Sequence, residues 1–184
     1  MAQPSGPHDV RPDDHRPDGN QPGELRWRSY GWEDPAISGD AARTLAGIDF
    51  FRAIGDGTLP APPIAGTLAF SLVAVEPGRA VFEFTPSEFH YNPIGSVHGG
   101  VYATMCDSAC GCAVHSMLPV GAYYTSQDLS VKFLRGITTS TGPLRCEGTV
   151  IHLGSRTALA QASLTDPAGR QYAYATSSCL IFRP

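Results

Sequence analysis

The chain has 184 residues, of which 42% are hydrophobic and only 16% charged, with a formal net charge of −4. That is enough apolar material for one packed domain, and the acidic balance excludes a nucleic-acid coat, which needs dense Lys and Arg. No apolar run approaches the roughly 18 residues of a membrane span, the opening MAQPSGPHDV has no apolar signal segment, and five cysteines, an odd number, point to a reduced cytoplasmic chain rather than a disulfide scaffold.

Residues 1–24 carry Pro4, Pro7, Pro12, Pro17 and Pro22 with almost no large apolar side chains. Such a stretch buries too little area to offset its ordering entropy, so disorder is expected. His8, Asp9, Asp13, Asp14 and His15 read as a solvated polar tail rather than a metal cluster. Trp27, Tyr30 and Trp32 give residues 25–40 something to dock with. The division is thus a disordered or loosely docked arm over 1–40 and a folded domain over 41–184.

Asp40 is a plausible N-cap. Leu45, Ile48, Phe51 and Ile54 follow at helical spacing, until Gly55 and Gly57 stop the pattern. Pro60, Pro62 and Pro63 form a connector. Residues 67–75 and 79–85 read as a hairpin around Glu76-Pro77-Gly78, with Ala80, Phe82 and Phe84 on its buried face. Residues 99–118 predict one long helix, buried almost all round, with Asp107 as its single charge. Four strands close the chain, over 123–134, 143–153, 156–165 and 171–182. This order predicts an α+β fold, a curved antiparallel sheet wrapped around one long central helix.

The chemistry concentrates at residues 90–107. Gly99 and Gly100 stand where a loop meets the long helix. The first N–H groups of a helix lack internal partners and carry partial positive charge. Glycine there lets a ligand oxygen come close, which makes an oxyanion or carbonyl site. A tight turn needed only for chain direction is the other reading. Asp107, predicted to be buried among Met105, Cys106, Ala109 and Cys110, is either tied down structurally or held as a base or nucleophile with a shifted pKa. Gly99 and Asp107 are eight residues apart, roughly 12 Å along a helix at about 1.5 Å per residue. A carbonyl polarised at one cannot be attacked from the other. If both act in one reaction, they come from two chains, which predicts an obligate homodimer with two shared sites.

The run Asn92-Pro-Ile-Gly95-Ser-Val-His98-Gly99-Gly100, with Asp107 on the following helix, resembles the acyl-CoA thioesterases of the hotdog superfamily. It is most similar to the PaaI-like and thioesterase-superfamily-member-2-like group. The segment from Thr125 to Arg135 and the turn Gly154-Ser155-Arg156-Thr157 resemble further parts of that pattern, so the likeness covers about residues 60–183. The resemblance implies hydrolysis of acyl-CoA, with Asp107 as catalytic carboxylate and the Gly99 N–H polarising the carbonyl. It also implies that His98 and Asn92 shape the site and that Ser126 helps place the water. Thr125 is the rival hydroxyl if the strand slips by one residue.

Gly100, Lys132, Arg135, Gly154, Ser155 and Arg156 are the candidates for binding substrate, Arg156 first among the cations. A thiolate leaves readily, so one carboxylate and one oxyanion site suffice. No metal or cofactor is implied, coenzyme A being part of the substrate. The resemblance further implies a homodimer at minimum and a homotetramer as in related enzymes, with neither nucleic acid nor membrane as partner. Two other functions compete. One is a non-catalytic acyl-CoA or lipid-binding protein. The other is an enoyl-CoA hydratase, disfavoured because no His follows Asp107 before His115. Cys106, Cys110 and Cys112 read as core filler and His115 as structural. Phe89, His90 and Tyr91 wall an acyl pocket or pack their loop.

Overall fold

The computed structural model describes residues 25–183, so the expectations for residues 1–24 lie outside it. The chain divides into two units, Met1–Gly31 and Trp32–Pro184. In the described part of the first, residues 25–31 form neither helix nor strand, and the Arg28 guanidinium lies 4.8 Å from the Tyr30 ring centroid.

The second unit begins with helices α1 (Pro35–Thr44) and α2 (Gly47–Gly55). The single helix expected from Asp40 is therefore two. Asp34, not Asp40, is the N-cap, its Oδ1 accepting from the Ala36 N–H at 2.9 Å, and Pro35 supplies the preset first turn. Leu45 and Ala46 are extended and separate the pair. The proline connector also turns helical, with Pro63 opening α3 (Pro63–Leu68). Ala69 leaves it at φ 51°, so the first strand starts at Phe70 rather than 67.

Seven antiparallel strands follow: β1 (Phe70–Glu76), β2 (Arg79–Phe84), β3 (Tyr123–Ser126), β4 (Ser130–Phe133), β5 (Leu144–Leu153), β6 (Thr157–Thr165) and β7 (Gln171–Phe182). They make one sheet in the order β1-β2-β5-β6-β7-β3, and β4 pairs with β7 beside β3. The hairpin turn, its second strand and the last three strands lie within a residue of where the alternation and turns place them. Asp166 explains the turn between β6 and β7. It is buried, and its Oδ1 accepts from the N–H groups of Ala168 and Arg170 at 3.0 and 2.9 Å.

Helix α4 (Gly99–His115) lies on the concave face. Its buried side carries Met105, Cys106, Ala109, Cys110, Ala113 and Val114. The sheet answers with Cys146, Ala158, Ala160, Ala162, Ala173, Ala175 and Cys179, all buried. Small residues on both surfaces let helix and sheet approach closely, and that shared layer is the core. The helix is not buried all round, however. Gly100 and Asp107 are exposed and Ala103, Thr104 and Ser108 half-buried. They fall at i, i+3, i+4, i+7 and i+8, one face of a 3.6-residue period.

His115 ends α4 as a structural residue, only 7% exposed. The rings of Phe50, Phe51 and Tyr124 surround it, with centroids 5.8, 5.4 and 5.8 Å away. Neither imidazole nitrogen has a hydrogen-bond partner among the described residues. Burial lowers its pKa from the usual 6.5. The unfolded chain therefore binds this proton more readily than the folded one. The associated stability is full above pH 6.5 and falls as the pH drops below it. Urea titrations of the wild type are expected to show a lower midpoint at pH 5.5 than at pH 7.5. His115→Phe is expected to lose the part of that difference due to this ring, without destabilisation at neutral pH, since it removes two buried orphan nitrogens. An unchanged pH difference in the variant would rule His115 out.

Candidate active site

The exposed stripe of α4 holds the carboxylate. The Ser126 hydroxyl donates to Asp107 Oδ1 at 3.0 Å. The contact follows from register, because Ser126 pairs with Cys179 of β7, and directly opposed residues of an antiparallel pair share a face. Cys179 is a core residue, so Ser126 faces the helix. Thr125, opposite Leu180, points to the other side of the sheet. Of the two hydroxyls, it is Ser126 that reaches Asp107. Asp107 itself is exposed in the single chain, contrary to the expected burial, because it lies on the uncovered helix face.

The start of α4 is the second feature. His98 is the N-cap, its Nδ1 accepting from the Gly100 N–H at 2.9 Å. The Gly100 N–H is therefore engaged within the chain. Gly99 occupies the first helical position, where an N–H has no intrahelical acceptor. A Cβ at Gly99 would lie 3.2 Å from Cζ of Phe133, so the glycine makes room for an aromatic ring. Phe133 is 58% exposed and stands edge-to-face on Tyr102, centroids 5.5 Å apart. Gly99, Tyr102, Phe133 and Arg135 line an open cleft of about 360 Å³.

The other predicted residues divide between these features. Asn92 turns inward on its own loop. Its Oδ1 accepts from the N–H groups of Ile94 and Ser96 at 3.0 and 3.3 Å, and its Nδ2 donates to Ser96 Oγ at 3.1 Å. It shapes the approach to α4 rather than offering a free amide. Arg135 lines the Gly99 cleft, with its guanidinium donating to the Gln171 carbonyl. Lys132 is exposed on β4, opposite Tyr174.

Gly154, Ser155 and Arg156 form the β5–β6 turn. There the Gly154 N–H donates to Thr157 O at 2.8 Å, and Arg183 Nε donates to Ser155 O at 3.1 Å. The ladder partner of Cys179 on β6 is Ala158. That turn therefore belongs to the Asp107–Ser126 end of the sheet, and Arg135 to the Gly99 end. Within one chain the candidates make two half-sites.

Aromatic contacts around the helix escaped the sequence reading. Gly111, in mid-helix, admits Tyr124: a Cβ there would lie 2.2 Å from the tyrosine hydroxyl oxygen. The unusual mid-helix glycine was the available signal. His90 is buried, its Nδ1 accepting from the Ser87 N–H at 3.0 Å and its Nε2 lying 2.8 Å from Leu68 O. It packs its loop rather than walling a pocket. The cysteines are free. Burial first, then the Asp107 charge, pushes the Cys112 thiol up to about 12, so it stays protonated and a poor nucleophile at neutral pH. Among the described residues no three His, Cys, Asp or Glu side chains are grouped to hold a metal ion, and no helix is long and apolar enough to cross a membrane.

Residues 94–173 match the sequence model of the thioesterase superfamily. A candidate esterase of Halobacterium salinarum is 41% identical over 76 residues, 40% of this chain and 48% of that protein. The chain thus matches about half the length of that curated relative. A solved structure of a candidate thioesterase from Ralstonia eutropha JMP134, described as related to phenylacetic acid degradation, is 28% identical. It covers 71% of this chain and 98% of its own, with a TM-score of 0.64. The E. coli PaaI protein, from the phenylacetic acid degradation operon, is 20% identical. The match covers 76% of this chain and 96% of that one at a TM-score of 0.64, a likeness of fold.

Proposed function

We propose that the chain, a hotdog fold in which residues 94–173 match the thioesterase-superfamily model, hydrolyses acyl-CoA thioesters to free acid and coenzyme A. The observation that carries this reading is the Asp107–Ser126 contact at 3.0 Å on the open face of α4. The Ser126 proton is directed to Oδ1 of Asp107, which leaves Oδ2 to accept a proton from water. A serine lone pair accepts a hydrogen bond from that same water. The water oxygen attacks the thioester carbon as the carboxylate takes its proton. The carbonyl oxygen becomes an oxyanion, stabilised by the Gly99 N–H at the positive end of a helix. The C–S bond then breaks, and the thiolate leaves with the electron pair.

Since the two half-sites lie on one helix, eight residues apart, Asp107 and Gly99 in one reaction come from different chains. The working unit in this reading is a homodimer, or a tetramer of two such dimers, in the cytoplasm. In this reading Arg135, on the Gly99 cleft, and Arg156, in the β5–β6 turn, receive the phosphates of coenzyme A. The hydratase reading loses its histidine, because His115 is caged by Phe50, Phe51 and Tyr124.

A thiol-release assay over aryl-acetyl, benzoyl-type and medium-chain acyl-CoA, with acyl-carrier-protein thioesters alongside, tests the reading. One equivalent of thiol per acid formed is expected, with turnover on the coenzyme A thioesters. Tight binding of the panel without thiol release would instead identify a non-catalytic acyl-CoA binder.

A further inference from the structure

The stretch 123–134 reads as one strand, yet residues 127–129 leave the ladder between β3 and β4. Register shows why. Ser126 pairs with Cys179 and Ser130 with Thr176. Three residues on this strand thus face two on β7, which is the count of a β-bulge. The extra residue changes which side chains face the helix. If the β4 register ran on unbroken, Gln127 rather than Ser126 would oppose Cys179 and face Asp107.

Asp128 sits at the middle of the break and is tied to β7 twice. Its Oδ1 accepts from the Ser178 N–H at 3.0 Å, and its carbonyl accepts from the Ser177 hydroxyl at 2.8 Å. Ser177 is fully buried. The Gln127 N–H donates to Ser178 O at 2.8 Å and completes the pin. None of these groups touches Asp107. The Asp128 carboxylate and the buried Ser177 hydroxyl thus both hold residue 128 against β7, at the point where the register changes between Ser126 and Ser130.

We propose that Asp128 is a positioning residue for hydrolysis, fixing the bulge that presents Ser126 rather than Gln127 to Asp107. The inference rests on the hydrolase reading for its kinetic consequence but not for its structural one. Asp128→Ala is expected to lower kcat about tenfold with KM little changed, since misplacement of a reacting group acts on the chemical step. Asp128→Asn keeps an Oδ1 acceptor and is expected to restore most of that loss. In the double variant with Ser126→Ala, the Asp128→Ala loss is expected to vanish, because there is no hydroxyl left to place. A merely structural role would instead multiply the two losses.

A crystal structure of Asp128→Ala supplies a readout free of turnover. Ser126 Oγ is expected beyond hydrogen-bond distance of Asp107, or Gln127 in its place. An unmoved Ser126, a wild-type kcat or multiplicative losses would each overturn the positioning role. The thiol-release assay of the wild type and of Ser126→Ala judges the hydrolase reading separately.

Discussion

Asp107→Asn is expected to reduce thioester hydrolysis about a thousandfold, in the range of a lost general base, while leaving the fold intact. The exposed position of Asp107 makes this a clean substitution. Asparagine keeps an oxygen where Oδ1 accepts from Ser126, so the local hydrogen bond survives and only the proton acceptor is lost. Thermal unfolding of the variant should match the wild type. Turnover within a few-fold of wild type would eliminate Asp107 as the base.

Its counterpart is Gly99→Pro. Proline is tolerated at the first helical position, where its missing N–H has no intrahelical partner. The preceding residue, His98, is already extended at φ −63°, ψ 137°, as a residue before proline requires. The substitution deletes one N–H at the cost of a displaced Phe133 ring. Loss of an oxyanion donor is worth about a hundredfold or more in kcat. If, as proposed, each site draws Asp107 from one chain and Gly99 from the other, two dead variants should complement. Unfolded and refolded as an equal mixture, half of the dimers carry one chain of each kind, and each such dimer regains one intact site of two. About a quarter of wild-type activity is expected. Recovery of nothing above the parents would place both groups in one chain's site.

Much of this was legible in the sequence because periodicity and turn chemistry agreed there. Ala80, Phe82 and Phe84 alternate along the second hairpin strand and are buried as expected, and His98-Gly99-Gly100 opens a helix as their chemistry suggests. What was not legible depended on partners distant in sequence. Asp107 looked buried because its neighbours along the helix are apolar, whereas exposure depends on which face the sheet covers. The Asn92 amide closes a five-residue loop through Ile94 and Ser96, a local role that the spacing of the run does not display. The β3–β4 break hides in an apparently continuous strand, since its cause lies in Ser177 and Ser178, some 50 residues on. Asp40 lost the N-cap to Asp34 because Pro35 offers a better-formed first turn than Ala41.

Gly148→Ala is expected to destabilise the protein by about 3 kcal/mol or more, the upper range for overpacking a core. Position 148 lies in the middle of β5, opposite Ala80 on β2 and Ala162 on β6. A Cβ built there would be 2.1 Å from the Ala109 carbonyl oxygen and 2.9 Å from the Cys110 nitrogen. Both are backbone atoms of α4, so no side chain can swing aside. Relief requires lifting the helix from the sheet, and the small residues of β6 and β7 that pack beneath it would lose contact together. The Asp107–Ser126 geometry would move with the helix, so activity should fall in whatever fraction still folds. Gly55→Ala serves as the control. Gly55 has nothing within 4 Å of the added methyl and should change the urea midpoint little, because a surface substitution away from such contacts costs within about 0.5 kcal/mol. Equal midpoints for the two variants would mean that the helix is not seated on β5 as closely as the glycine requires.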